Sequence, residues 1–108
     1  MILEHAVLNV IKGQERAFEA AMQKAAPLIS ASPGFLGMEV RRNASVQNQY
    51  LLLVRWESTA HHTEGFRTSD RYQQWKALLH HFYELFPEVS HFDAPIVALD
   101  NGENKTTS

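Results

Sequence analysis

His61 and His62, Lys76, and His80 and His81 fall within one stretch that opens on a tryptophan, Trp56. An imidazole takes up and returns protons near neutral pH, which suits it to general-base work or to polarising oxygen. His62 is the first candidate, because it falls just past a strand end, where a pocket would sit. Its neighbour His61 points about 100° further around a helix and is expected to face solvent. Lys76 offers a cation to a developing negative charge, and His80, four residues on, shares its helix face. The candidate catalytic set is therefore His62, Lys76 and His80. Trp56, Phe66, Tyr72 and Trp75 are core residues first, and an aromatic core wall also bounds a flat hydrophobic cavity. No metal site is expected, since adjacent helical histidines diverge whereas metal pairs favour spacings of three or four with carboxylates nearby. There is no Gly-rich phosphate loop, and no Ser-His-Asp order with a nucleophile elbow. His5 reads as a structural residue, and Arg67 as a surface charge or a helix-end ion pair.

These side chains need a scaffold, and the periodicities supply one. Residues 2–11 read as a strand with Ala6, Leu8 and Val10 on one face. The opposite face, with Leu3, Val7 and Ile11, is also largely apolar, as in a sheet covered on both sides. Lys12-Gly13 breaks the strand. Over residues 14–31, Phe18, Ala21, Met22, Ala25 and Ile29 recur at helical spacing, with Pro27 expected to kink the last turns. Ser32-Pro33-Gly34 is a stop and turn. Two strands follow, 35–42 and 47–56, joined as a hairpin, the second apolar on both faces and therefore central. Ser58 is placed as N-cap of a short helix over 59–66, and Ser69 as N-cap of a longer one over 70–86 that Pro87 ends. A last strand lies around His91-Phe92-Asp93, with Pro95 confining it to an edge or bulge. The order is β-α-β-β-α-β, the ferredoxin-like split arrangement of an α+β fold, with helices on one face of an antiparallel sheet. One domain over residues 1–100 is expected, followed by a polar, disordered tail over 101–108.

A net charge of −2 leaves no electrostatic footprint for nucleic acid or an acidic membrane surface. No apolar run approaches the roughly 20 residues of a membrane helix, and no signal pattern opens the chain. The absence of cysteine removes disulfides and thiolate chemistry together and fits a cytoplasmic protein.

Lys12-Gly13, SPGFLGMEVRR at 32–42, and VRWES at 54–58 followed by FRTSDRY and a helix together resemble the antibiotic biosynthesis monooxygenase (ABM) domain, over about residues 2–93. The resemblance implies a dimeric α+β barrel, in which protomers pack sheet face to sheet face and the C-terminal strand often reaches the partner. It also implies a pocket between sheet and helices for a small hydrophobic or aromatic ligand. Family members include cofactor-independent oxygenases of aromatic polyketides and quinols, haem-degrading oxygenases, and proteins of unknown activity. The polyketide oxygenases resemble this chain at Trp56, but their Asn four residues before it is Leu52 here, and their Tyr six residues after it is His62. At the haem ligand of the degrading members stands Lys76, with Ala6 for their strand-one Asn and Phe66 for their Trp. A lysine ammonium is a poor iron ligand, which disfavours haem degradation and leaves His80 as the alternative haem ligand. The resemblance thus points to a cofactor-independent monooxygenase of an aromatic, quinol or polyketide-like compound, with His62 as base. A non-catalytic binding or stress-response domain of the same fold is the alternative.

Overall fold

The computed structural model describes residues 1–101. Strand β1 (Ile2–Asn9) leads to helix α1 (Glu15–Ser30), strands β2 (Phe35–Arg42) and β3 (Gln49–Trp56), a π-helical turn (His61–Phe66), helix α2 (Asp70–Leu79), one 3-10 turn (His80–Phe82) and strand β4 (Val89–Phe92). The strands form one antiparallel sheet in the order β2-β3-β1-β4. This is the expected α+β ferredoxin-like architecture. Of the polar tail expected over 101–108, all but Asn101 lies outside the described residues.

Strand alternation decides which face the helices cover. Ala6 and Leu8 of β1, and Tyr50, Leu52, Val54 and Trp56 of β3, are buried against Phe18, Met22, Ala25 and Ile29 of α1 and Trp75 and Leu79 of α2. On the opposite face, Leu51 and Leu53 are only half-buried and Val7 is 37% exposed. Within the protomer that apolar face is uncovered. Helix α1 runs through Pro27 to Ser30 without a break. Pro27 and Gln23 both lie on the exposed side, so the carbonyl that proline leaves unpaired faces water.

Two elements depart from the sequence expectation. The helix predicted over 70–86 ends at Leu79, well before Pro87. Tyr83 is already extended and bridges Val10, with Ile11 N–H donating to Phe82 O at 2.8 Å and Glu84 N–H to Asn9 O at 2.9 Å. Pairing with the end of β1 thus replaces the last helical turns. In consequence Leu85 and Phe86, predicted to widen the helical stripe, are 72% and 71% exposed. The second departure is the π-helical turn, where an ordinary α-helix was expected. Ser58 Oγ accepts from His61 N–H at 3.3 Å, the capping role foreseen for it, and Arg67 N–H reaches back five residues to His62 O at 3.0 Å. Ser69 caps α2 as predicted, its hydroxyl accepting from Tyr72 N–H at 3.3 Å.

Candidate active site

Glu4 continues the buried series Ala6, Leu8, Val10 on the helix-covered face and is itself only 4% exposed. A carboxylate placed there must find donors, because an uncompensated buried charge is costly. Trp56, at the end of the adjacent strand, donates Nε1–H to Glu4 Oε1 at 2.9 Å. His62 Nε2 lies 3.4 Å from the same oxygen. On the other side of the imidazole, His62 Nδ1 is 2.8 Å from Nε2 of His91. The sheet register brings His91 there: it stands directly opposite Glu4 on the neighbouring strand β4, and so on the same face. His62 stacks on the Trp56 indole, with ring centroids 5.4 Å apart and planes 19° from parallel.

The π-helical turn sets the aim of His62. Turns of this kind recur at functional sites because the extra residue per turn re-aims neighbouring side chains. Here the turn buries His62 and Phe66. His61 stays partly open to solvent, as expected, while its Nδ1 lies 2.8 Å from Ser58 Oγ and one face of its ring packs over Gly34. Gly34 has φ +81°, and any Cβ there would overlap the His61 ring. Glycine at the 32–34 turn is thereby required twice over.

Burial raises the Glu4 carboxyl above the ordinary carboxylate range, opposed in part by the Trp56 hydrogen bond and the charge of Arg67. His62 is driven down to about 3, by burial first and then by Arg67 and His91. His91 is lowered by burial and by Arg67. At neutral pH the Glu4–His62 contact therefore involves an uncharged imidazole and is no ion pair. The Arg67 guanidinium makes no hydrogen bond or ion pair among the described residues, although its charge is felt by all three groups.

All of these groups but His91 border a cavity of about 350 Å³ between the sheet and the helices. Ala6, Leu8 and Leu52 form its floor, and Phe66, Tyr72, Trp75 and Tyr83 supply aromatic walls. Glu4, His62 and Arg67 contribute one polar cluster. His80 also lines the cavity, packed against the rings of Tyr72, Tyr83 and Phe86, with its pKa lowered by burial and by Lys76.

Of the residues singled out in the sequence, the fold thus brings His62, His80, Phe66, Tyr72 and Trp75 to one cavity. Trp56 is fully buried behind His62 and is not part of the cavity wall. Lys76 is exposed, its ammonium 5.7 Å from the centroid of the Tyr72 ring, and does not line the cavity. His5 lies on the uncovered sheet face, edge-on to Phe92. Sequence reasoning passed over Glu4, Tyr83 and His91, and read Arg67 as a surface charge; it is exposed, and it also borders the cavity. Glu4 carried a readable signal, being the one charged residue in an otherwise apolar alternate series. His91 had none, because only the β1–β4 register places it. Among the described residues no cluster of three or more His, Asp or Glu side chains is disposed to hold a metal ion. The His62 and His91 nitrogens face each other and do not converge on a common point.

The family described as antibiotic biosynthesis monooxygenase matches residues 1–78 of the chain. The Bacillus subtilis protein YczJ, which is uncharacterised, is 48% identical over 92 residues, spanning 85% of this chain and 97% of that protein. A crystal structure from Bordetella bronchiseptica, assigned to the antibiotic biosynthesis monooxygenases, is 32% identical with a TM-score of 0.84, over 88% of this chain and 97% of that one. SnoaB, a cofactor-independent oxygenase from Streptomyces nogalater, shares the fold with a TM-score of 0.79 at 16% identity, over 92% and 97% of the two chains. The chain belongs to the antibiotic biosynthesis monooxygenase family.

Proposed function

We propose that the protein is a cofactor-independent monooxygenase of a small hydroxylated aromatic, quinol or polyketide-like compound. The observation that carries this reading is a buried carboxyl of raised proton affinity, Glu4, on an aromatic-walled cavity that Arg67 also lines, its guanidinium without a hydrogen bond or ion pair among the described residues. A substrate phenol or enol presents its O–H to Glu4, which takes the proton. Arg67 holds the resulting anion, and the electron-rich anion reduces oxygen directly. One oxygen atom enters the substrate and the other leaves as water; the substrate supplies all four electrons, as when a ring CH2 becomes a carbonyl. A carboxylate that binds protons more tightly than usual is the stronger base for that first step. His62 is not the base on this reading, since both its ring nitrogens are engaged by protein groups. It holds Glu4 in place.

The uncovered sheet face, with Val7, Leu51 and Leu53, is the surface through which two protomers would pair as a homodimer. No helix among the described residues is long and apolar enough to cross a membrane, and we place the protein in the cytoplasm. The residues present fit haem poorly, because Lys76 is exposed and off the cavity while His80 is packed among three rings. A binding protein of the same fold without turnover is favoured by one feature, the apolar Leu52 on the cavity floor where an amide donor would assist an oxygenase. Oxygen consumption over a panel of hydroquinones, naphthoquinols and anthrones separates the two. Under ¹⁸O₂ the oxygenase yields product carrying one labelled atom. Binding to the panel without oxygen uptake leaves only the binding protein.

A further inference from the structure

Two nitrogens 2.8 Å apart, His62 Nδ1 and His91 Nε2, form a hydrogen bond only when one carries a proton and the other does not. The tautomer of His62 is therefore tied to that of His91. On its other side His62 Nε2 lies 3.4 Å from Glu4 Oε1, so the charge on Glu4 bears on which ring nitrogen holds the proton. The three groups stand in line from the cavity to the edge of the sheet. Glu4 is 4% and His62 3% exposed, whereas His91 is only half-buried on β4, the four-residue edge strand. We propose that Glu4, His62 and His91 form a proton-transfer chain that exchanges the cavity carboxyl's proton with bulk water across the β4 edge, with His91 as its outer positioning residue. The proposal rests on reading Glu4 as the group that takes the substrate proton.

The transfer balances without any redox partner. Starting from protonated Glu4, Oε1–H passes its proton to His62 Nε2, His62 Nδ1–H passes its own to His91 Nε2, and His91 Nδ1–H gives one to water. Each imidazole loses one proton and gains one, Glu4 becomes a carboxylate, and one proton reaches solvent. The reverse passage restores the starting tautomers. Neither ring has to become an imidazolium. That matters, because at a pKa of about 3 the charged form of His62 amounts to roughly one molecule in 10⁴ at pH 7. The groups that set the local field are Glu4 from β1, His91 from β4 and Arg67 after the π-helical turn; Tyr83, facing the cavity, is itself kept protonated by burial first and by Tyr72 and Glu4 after it. Trp56 adds a neutral donor that holds Oε1 in place through both states. His91 lies beyond residues 1–78, the segment that matches the family.

The test reads tautomers, not turnover. Imidazole ¹⁵N chemical shifts of His62 and His91 are followed against pH in the full chain, in wild type and in Glu4→Gln, which keeps the acceptor for Trp56. In wild type both rings are expected to be Nε2–H tautomers where Glu4 is ionised, and to swing together towards Nδ1–H through one shared inflection as Glu4 is protonated. In Glu4→Gln that shared inflection disappears. His62 and His91 changing at separate pH values in wild type, or changing together in Glu4→Gln as they do in wild type, would overturn the proposal. Should Glu4→Gln fail to fold, His91→Phe is the second variant: with no acceptor left for Nδ1–H, the chain predicts that His62 no longer swings to the Nδ1–H tautomer as Glu4 is protonated, and a swing unchanged from wild type refutes it. A protein that fails to consume oxygen but shows coupled tautomers keeps the chain and loses the oxygenase. One that consumes oxygen through Glu4 with uncoupled rings loses only the chain.

Discussion

Trp56 Nε1 donates to Glu4 Oε1 at 2.9 Å, joining the last residue of β3 to a carboxyl on β1 inside the layer that the helices cover. The bond explains how a carboxyl is kept among apolar neighbours, and removing it isolates a buried polar group. Trp56→Phe retains most of the ring but no donor. It is expected to cost about 1–3 kcal/mol of stability, measured by urea unfolding with an unchanged m value. A loss within error would mean that the hydrogen bond contributes nothing net.

The pH dependence of stability follows from two opposed shifts. Glu4 has a raised folded pKa, so between its ordinary and raised values the folded state holds more protons and stability falls as pH rises. His62 has a lowered folded pKa, so from about 6.5 down to about 3 the unfolded state holds more protons and stability is lost as pH falls. Where the two windows overlap the slopes offset each other. Glu4→Gln removes only the first. Its stability is expected to exceed wild type at pH 8 and to fall below pH 6.5 with a slope approaching ~1.4 kcal/mol per pH unit. Denaturant titrations of both proteins from pH 4 to pH 8 provide the comparison, and parallel curves would refute the assignment of buried ionisable groups.

Gly34 carries the turn on which His61 rests. Gly34→Ala must force a left-handed backbone and push on the His61 ring, with a cost of about 1–2 kcal/mol or more. Because the same turn of chain aims His62, ligand binding in the cavity should weaken along with stability. Gly13, also at positive φ but with open space where a Cβ would go, serves as the control. Gly13→Ala should leave ligand binding intact.

The uncovered face of the sheet predicts a dimer by gel filtration at micromolar concentration. Val7→Glu on that face should shift the protein to a monomer without altering its circular dichroism. A wild-type monomer would contradict the pairing.

His91→Ala, at a half-buried edge position, should change stability by less than about 1 kcal/mol. If His91 passes protons for Glu4, kcat on any turned-over substrate falls roughly tenfold or more while KM holds, and added imidazole restores part of it. A purely structural His91 would show no rescue.

The architecture was legible in the sequence because its signals are local. Alternation marks β1 and β3, the Ser-Pro-Gly turn ends α1, and Ser69 caps α2. The errors arose where distant pairing overrode local pattern. The apolar stripe from Tyr72 to Phe86 reads as one helix, yet contact of the Phe82–Glu84 backbone with β1 ends it early. The π-helical turn packs His61 against Gly34, far back in the chain, a contact that no local pattern announces. At the site the histidine and the aromatic residues were found by type and position. Glu4 was readable from alternation alone, whereas its pairing with His91 exists only in the strand register.

The central claim is that Glu4 is the base of a cofactor-independent oxygenase. The most direct measurement is the initial rate of oxygen consumption with an accepted quinol or anthrone, wild type against Glu4→Gln, above pH 7 and without added cofactor. The account predicts turnover by wild type and a loss of about 10²-fold or more in kcat for the variant. Equal rates in the two proteins would contradict it.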